Sequence, residues 1–467
     1  MKRTLLIFSL CAAMFGSKAT AQDLPAVLTV FDEVVFYGMY DGPVNTPVPE
    51  GTVRSKNWSY GKKLTEEQIA VIGNRLTINV LAEALCDDYD RIGNVNLAFV
   101  PKNSTSYVYE DVMRIEVGRF ITPFMNNITQ TPTQVPYTFE ADNIAQILHD
   151  PILAAEYDFW FELEIYGHQG GPSADQGGAQ WDFLSTGLCN NRNDVYKGTL
   201  ELVTENDPDL VLGENHFEWL SYKFELKDYV QATETNNMGQ GTDELDETVR
   251  TINFDFGEEV QNAKFYVVVS NHGSFYSTSE EYRNILHYVY LDNVEKLRFR
   301  PGRDCEPYRV YNTMGNGVYG PSVRPLNYWT GRAWCPGAKI ETRVVELGTL
   351  AAGQHSYKMN VPSALFTNDH GYFPMSVYVQ GYSDSSMSSK GFKANNISVY
   401  PNPVNNIATI SANGQQIKNV SVINALGQTV LQTKSDKVDM TNLQKGIYVV
   451  QVEFDNNQIA TKKIVKN

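Results

Sequence analysis

The chain is poor in the residues that build metal and redox centres. Its 467 residues include five cysteines, none of them in a CxxC pair, which argues against a thiolate zinc site. Its seven histidines, at positions 149, 168, 216, 272, 287, 355 and 370, include no His-x-His pair. Copper sites usually show clustered imidazoles, so a copper oxygenase is disfavoured, and no metal or other cofactor is expected. His272 and His287 read as structural histidines. Basic residues are outnumbered by acidic ones, 38 to 54, and the formal net charge of −16 would repel a phosphate backbone. Nucleic acid is therefore not an expected partner. Long apolar runs are absent beyond Leu5 to Phe15, which is itself too short to span a bilayer. Helical periodicity is scarce, and the best candidates are Thr65 to Leu81 and Ala141 to Leu148.

What is present at the N-terminus is the pattern of a secretory signal. Lys2 and Arg3 precede the apolar run, and Ala19-Thr20-Ala21 fits small-x-small cleavage, giving a mature start near Gln22. Cys11 follows Leu10, where lipid attachment wants a small residue, so a soluble exported protein is expected. Export permits disulfides among the remaining Cys86, Cys189, Cys305 and Cys335.

Strand signals dominate from Val27 to about Val379. In Asn94 to Val100, Val95, Leu97 and Phe99 share one face. In Asp158 to Ile165, Phe159, Phe161, Leu163 and Ile165 share one face, and Asp158, Trp160, Glu162 and Glu164 the other. Phe265 to Ser270 and His287 to Leu291 read as further strands. Many short strands with Gly, Pro and Asn turns predict an all-β protein of packed sandwiches. Gly167 to Gly178, Glu205 to Leu210 and Thr233 to Thr248 read as loops, and Ser383 to Ser389 as a linker. The expected division is a signal peptide at 1–21, sandwiches at 22–185 and 186–385, and a linker with a third module at 386–467.

The third module opens Ile397-Ser398-Val399-Tyr400-Pro401-Asn402-Pro403. It continues through Ala425-Leu426-Gly427-Gln428 and Lys445-Gly446-Ile447-Tyr448-Val449-Val450, and ends Lys462-Lys463-Ile464-Val465-Lys466. Read from its residues, this is a small strand-turn-strand sandwich with Pro at its entry and Gly at its turns. The pattern resembles the type A sorting domain of the type IX secretion system. That resemblance implies passage through the periplasm and across the outer membrane of a Gram-negative bacterium, with the type IX machinery as a partner.

The core carries an ordered set of motifs: Val30-Phe31-Asp32-Glu33-Val34, then Cys86-Asp87-Asp88-Tyr89-Asp90-Arg91, then Glu116-Val117-Gly118-Arg119-Phe120-Ile121-Thr122-Pro123. Tyr328-Trp329 and Arg332-Ala333-Trp334-Cys335-Pro336-Gly337 follow far downstream. Together they resemble the peptide-N-glycosidase F family over roughly residues 28 to 380. The resemblance implies two eight-stranded jelly rolls with a cleft between them. It also implies hydrolysis of the amide between asparagine and the first GlcNAc of an N-linked glycan. Asparagine becomes aspartate, no metal takes part, and a monomer acting on N-glycosylated proteins or glycopeptides is expected.

In that resemblance the main catalytic aspartate falls on Asp90. A loop acid just before a strand can be aimed rigidly into a cleft, where it activates or positions water. The plain alternative is a surface aspartate paired with Arg91. The second acid falls on Glu281 within Ser279-Glu280-Glu281-Tyr282-Arg283, where Glu280 competes for the role and Tyr282 stands where the family has Trp. The third falls on Glu162, with Glu164 facing the same way. The family's flanking cysteine pair at the second acid is absent here. Arg91 and Arg332 are expected to donate to sugar hydroxyls or the amide carbonyl, and Tyr282 to contact substrate. Trp334 either stacks on a sugar or fills the core beneath Cys335. Cys305 and Cys335 match a family disulfide, whereas Cys86 with Cys189 stays an open pairing. A non-catalytic glycan-binding relative is the alternative function; it would keep the sandwiches and aromatics without the acids.

Overall fold

The computed structural model describes residues 26–39, 43–87, 89–125, 131–167, 192–210, 213–226, 249–273, 280–313, 330–364, 371–383, 397–412, 416–424, 428–454 and 459–467. The signal segment, the linker, Cys189 and the Tyr328-Trp329 pair lie outside these residues.

The first sandwich uses strands β1 (Ala26–Tyr37), β2 (Thr52–Lys56), β3 (Ser59–Lys63), β4 (Arg75–Ala84), β5 (Ile92–Pro101), β6 (Met113–Ile121), β7 (Gln134–Glu140), β8 (Tyr157–Ile165) and β9 (Asp194–Glu205). One sheet has the order β1-β9-β4-β7, and the facing sheet contains β6-β5-β8-β3-β2. Strand β9 lies beyond residue 185, the expected division, yet it hydrogen-bonds between β1 and β4. The chain therefore leaves the first sandwich after Glu205.

The second sandwich uses β10 (Glu214–Leu226), β11 (Val249–Phe256), β12 (Val260–Val269), β13 (His287–Leu291) and β14 (Val294–Phe299). After the short strands β15 (Arg303–Asp304), β16 (Thr330–Arg332) and β17 (Lys339–Ile340), it is completed by β18 (Arg343–Leu350), β19 (Gly353–Asn360) and β20 (Phe373–Ser383). Its sheets are β10-β20-β12-β18 and β11-β19-β13-β14. Strand β17 instead pairs with β6 at the edge of the first sandwich and so ties the two halves together. The C-terminal module has sheets of three and four strands around its own core of Val399, Ala408, Val422, Val450 and neighbours.

Thr65 to Leu81 is not one helix. Thr65 and Gln68 form a capping box for a single short helix, α1 (Glu66–Val71). Gly73-Asn74 breaks it, and from Arg75 the apolar residues recur every second position. Leu76, Ile78, Val80, Ala82 and Ala84 are buried while their neighbours are half-exposed, which is the period of a strand. The second helical candidate forms α2 (Asp142–Leu148).

Strand β8 is buried on both faces. Phe159, Phe161, Leu163 and Ile165 enter the first core, while Asp158, Trp160, Glu162 and Glu164 are buried opposite them. The polar face is covered mostly by the first sandwich's own residues, with Lys63 and Lys102 on Asp158, Tyr107 on Trp160, and Tyr107 and Arg114 on Glu162, while β10 of the second sandwich reaches Glu164 and β20 reaches Glu116 on neighbouring β6. Lys223 on β10 bonds to Glu164, and Ser376 on β20 donates to Glu116 at 2.5 Å. A buried polar seam thus joins the two sandwiches, and the candidate site lies at one end of it.

Candidate active site

The three most specific motifs, far apart in sequence, are stitched together by backbone bonds. Arg91 N donates to Thr122 Oγ at 2.7 Å, and Thr122 N donates back to Arg91 O at 2.8 Å. Gly337 N donates to Ile121 O at 2.9 Å, and Ala333 N to Tyr282 O at 3.3 Å. The Cys305–Cys335 disulfide, with Cα atoms 5.3 Å apart, anchors the last segment against Phe124, Ala338, Tyr89 and Tyr308. Closing that 30-residue loop stabilises the fold by roughly 3.5 kcal/mol on the chain-entropy model. Cys86 is disulfide-bonded as well.

Asp90 stands on the loop before β5. Behind it, a Cβ on Gly93 would collide with the Phe120 ring, so the strand packs tightly at the point where it holds the loop. Arg91 does not pair with Asp90. Its guanidinium is taken by buried Asp87, through Nε–Oδ2 at 2.7 Å and Nη2–Oδ1 at 3.3 Å. Asp87 also accepts from Tyr89 N at 3.0 Å, which shapes the loop. Burial works against the Arg91 charge, but Asp87 outweighs it and holds the pKa above its usual range. Asp90 is thereby left to a partner from the other sandwich. Its Oδ2 accepts from the Tyr282 hydroxyl at 3.0 Å. Burial first, and then the charge of Glu281, push its pKa well above the ordinary carboxylate range, against the pull of Arg91 and the Tyr282 bond. Burial and Asp90 together push Tyr89 up to about 12.

Glu281 comes from the other sandwich and keeps 19% of its side chain exposed. Its neighbour Glu280 is turned inward, with a side chain 1% exposed and ion-paired to Arg283 at 2.8 Å. Of the two competing acids, Glu281 is the one brought electrostatically to Asp90. Tyr282 lies between Trp334, with ring centroids 4.7 Å apart, and Arg332, whose guanidinium carbon is 4.3 Å from the ring centroid. Trp334 is 2% exposed and donates from Nε1 to Asn271 O at 2.7 Å, so it takes the core position and leaves Tyr282 and Arg332 at the rim.

Glu162 is not gathered with Asp90 and Glu281. It pairs in register with Asn96, four residues into β5 from Ile92, or about 13 Å at ~3.3 Å per residue. Its carboxylate accepts from Arg114 Nε at 2.9 Å and Nη2 at 3.1 Å, from Tyr107 at 2.7 Å and from Asn96 at 3.2 Å. Glu164, nearer the loop, accepts from Lys223 and from Tyr109 at 2.7 Å. The Lys223 ammonium also meets the Tyr166 hydroxyl at 3.2 Å, and the Tyr166 ring packs at a tilt on half-exposed Trp58, centroids 4.5 Å apart. Asp87, Lys223 and Tyr166 were not singled out by sequence. Only the CDxxDR spacing hinted at Asp87, and nothing local marks Lys223. Among the described residues no three His, Cys, Asp or Glu side chains converge as metal ligands do.

Two antiparallel sandwiches, with Asp90 of one bonded to Tyr282 of the other beside Glu281 and Arg332, define a two-sandwich protein whose candidate site lies at the domain seam. Residues 27–167 match the family model described as Peptide-N-glycosidase F, N terminal, and residues 242–380 match Peptide-N-glycosidase F, C terminal. Together these take in more than half of the chain, which belongs to the peptide-N-glycosidase F family. Residues 398–467 match a secretion system C-terminal sorting domain. No curated protein matches. Among solved structures, PNGF-II is similar at 18% identity and a TM-score of 0.52, over 77% of this chain and 66% of that one. About a third of PNGF-II thus has no counterpart here, and at this identity the likeness concerns the fold. Recombinant peptide:N-glycanase F aligns at 14% identity and a TM-score of 0.46, over 78% of this chain and 97% of that one. PNGase F from Flavobacterium meningosepticum aligns at 15% and 0.44, over the same shares.

Proposed function

We propose that the protein is an amidase that cleaves the bond between asparagine and the first GlcNAc of N-linked glycans. The observation that carries this reading is that Asp90 of the first sandwich accepts from Tyr282 of the second and lies within the electrostatic reach of Glu281, the residue beside Tyr282 in sequence. In this mechanism Asp90 accepts a proton from the attacking water, and the water oxygen bonds to the asparagine side-chain carbonyl carbon. The carbon–nitrogen bond then breaks as the proton held by Asp90 passes to the leaving nitrogen, which returns Asp90 to its ionised form. Aspartate stays on the peptide and the glycosylamine leaves, later losing ammonia to water. Tyr282 holds Asp90 in place through its hydroxyl. Arg332 lies at the rim over the Tyr282 ring and would contact substrate there, and Arg91, engaged by Asp87, acts by shaping the loop.

The test is incubation with a denatured N-glycosylated protein, followed by mass spectrometry of the peptides, with and without a chelator. Conversion of glycosylated Asn to Asp, unchanged by the chelator, is expected. A single GlcNAc left on Asn would indicate a glycosidase cutting between sugars. Retained glycan binding with no release would favour the glycan-binding alternative, and loss on chelation with recovery on adding copper or zinc would overturn the metal-free mechanism.

The sorting module supports export by the type IX route, with the mature protein outside the outer membrane. No strand pairing joins the module to the sandwiches among the described residues. One influence between them is electrostatic: burial raises Glu218 on β10 to about 7, with Lys462 of the module opposing. Removing residues 395–467 is therefore expected to leave a folded, active core that accumulates in the periplasm. An insoluble truncated core would mean that the module is part of the fold.

A further inference from the structure

Behind Glu281 runs a chain of buried polar groups that starts in the other sandwich. Glu116 and Arg119, both buried on β6, share two charge-assisted bonds, Nε–Oε1 at 2.8 Å and Nη2–Oε2 at 2.7 Å. The remaining terminal nitrogen of Arg119 donates to Pro374 O and to Ser270 Oγ, each at 2.8 Å. Buried Ser270 Oγ lies 2.6 Å from His272 Nε2, and His272 Nδ1 lies 3.8 Å from Glu281 Oε1. The His272 backbone exchanges two 2.9 Å bonds with Tyr372, and its ring sits between Trp334 and Tyr372 at 5.4 and 5.6 Å.

Elementary hydrogen-bond chemistry gives this chain a direction. A guanidinium only donates, so Ser270 Oγ must accept from Arg119. Among the described residues the other partner of Ser270 Oγ is His272 Nε2, so the hydroxyl hydrogen points there and Nε2 accepts. Burial holds the ring below its ordinary pKa and hence neutral, with Glu281 opposing. A neutral ring that accepts at Nε2 carries its proton on Nδ1, the atom that faces Glu281. The 3.8 Å gap is longer than a hydrogen bond, but Glu281 is partly exposed and a small rotation closes it, as unliganded sites commonly require.

We propose that His272 is a positioning residue for Glu281. Held as the Nδ1–H tautomer by Ser270 and Arg119, it presents one N–H donor that fixes the Glu281 carboxylate beside Asp90. Its kinetic consequence rests on the amidase reading; the tautomer and its coupling to Glu281 do not.

The experiment is a long-range proton–nitrogen correlation spectrum of the histidine rings in the labelled full-length mature protein, with His272→Asn identifying the signal. The expected pattern is protonated Nδ1 and bare Nε2. Ser270→Ala should move the ring toward the other tautomer, Ser270→Thr should retain it, and Glu281→Gln should shift the Nδ1–H resonance. In turnover, His272→Phe should lose about tenfold to 100-fold in kcat with a smaller change in KM, the range seen when a group orients another from behind. His272→Asn, whose amide can donate from the place of Nδ1, should recover part of it. Urea unfolding of each variant separates these effects from loss of fold. Protonated Nε2 in the wild type, a Nδ1–H resonance indifferent to Glu281→Gln, or wild-type kcat in His272→Phe would each overturn the proposal. A wild type inactive on every glycopeptide would instead sink the amidase reading, and the spectra would still decide the tautomer and its coupling.

Discussion

Asp90→Asn is expected to lower turnover by roughly 10² or more, the range for a positioned acid or base. The substitution preserves size and hydrogen-bonding shape and removes the ability to take a proton. Tyr282 can still donate to the Asn oxygen, so the loop should keep its geometry. The pH dependence follows from the direction of the Asp90 shift. Its pKa in the fold lies above the ordinary value, so an ionised Asp90 is lost on acidification at a higher pH than usual. The acidic limb of kcat/KM should therefore stand above the ordinary Asp range. Stability should move the other way. An acid whose folded pKa is raised destabilises the fold as pH climbs from the unfolded value to the folded one. Asp90→Asn should thus be as stable as wild type in acid and slightly more stable near neutral pH.

The neighbouring acids make the experiment specific. Glu281→Gln should impair turnover severely. Glu280→Gln should chiefly weaken the fold, since it removes half of an inward ion pair with Arg283. Glu162→Gln should likewise reduce stability more than turnover, because its carboxylate is occupied by Arg114. An inactive Glu280→Gln beside an active Glu281→Gln would exchange their roles. Near-normal rates in Asp90→Asn, with the fold intact, would remove the proposed mechanism from this chain.

The largest loss of stability should come from the seam. Arg119→Met removes the partner of a fully buried carboxylate and leaves Glu116 with an uncompensated charge. Breaking such pairs from one side typically costs about 3–5 kcal/mol. Burial alone would raise the Glu116 pKa, but Arg119 overrides it and holds it below the usual value. The stability from this group is therefore present above the ordinary carboxylate range and is lost as pH falls through the lowered value. Urea denaturation near neutral pH should show a clear drop in midpoint for Arg119→Met and a partial return in Glu116→Gln/Arg119→Met, where no charge is stranded. A midpoint equal to wild type in the single variant would mean that water reaches the seam and replaces the guanidinium.

Much of the architecture was legible from residue order. The alternation in β8 set its two faces, and His287 to Leu291 forms β13 over those same residues. The YPNP opening and basic ending marked the C-terminal module, and CDxxDR, GRFITP and RAWCPG marked the segments that now meet at the site. Helical periodicity failed as a guide between Thr65 and Leu81, where a capping box begins a helix that lasts less than two turns before an alternating strand takes over.

What the tertiary structure alone decided is the pairing of polar groups. Arg91 chose Asp87 over Asp90, Trp334 went beneath Tyr282, and Glu280 turned inward while Glu281 stayed partly exposed. Glu162 and Glu164 stand on what reads as a solvent face, yet both are buried, Glu162 under Tyr107 and Arg114 of the first sandwich and Glu164 against Lys223 of the second. The physical reason is general. Periodicity along a strand reports which side chains leave water together, because the backbone sets that period locally. It carries no information about what packs on the outer face or which of two adjacent acids meets a cation, since those choices depend on how loops and neighbouring segments turn in three dimensions, even where the partners are only three or four residues apart in sequence.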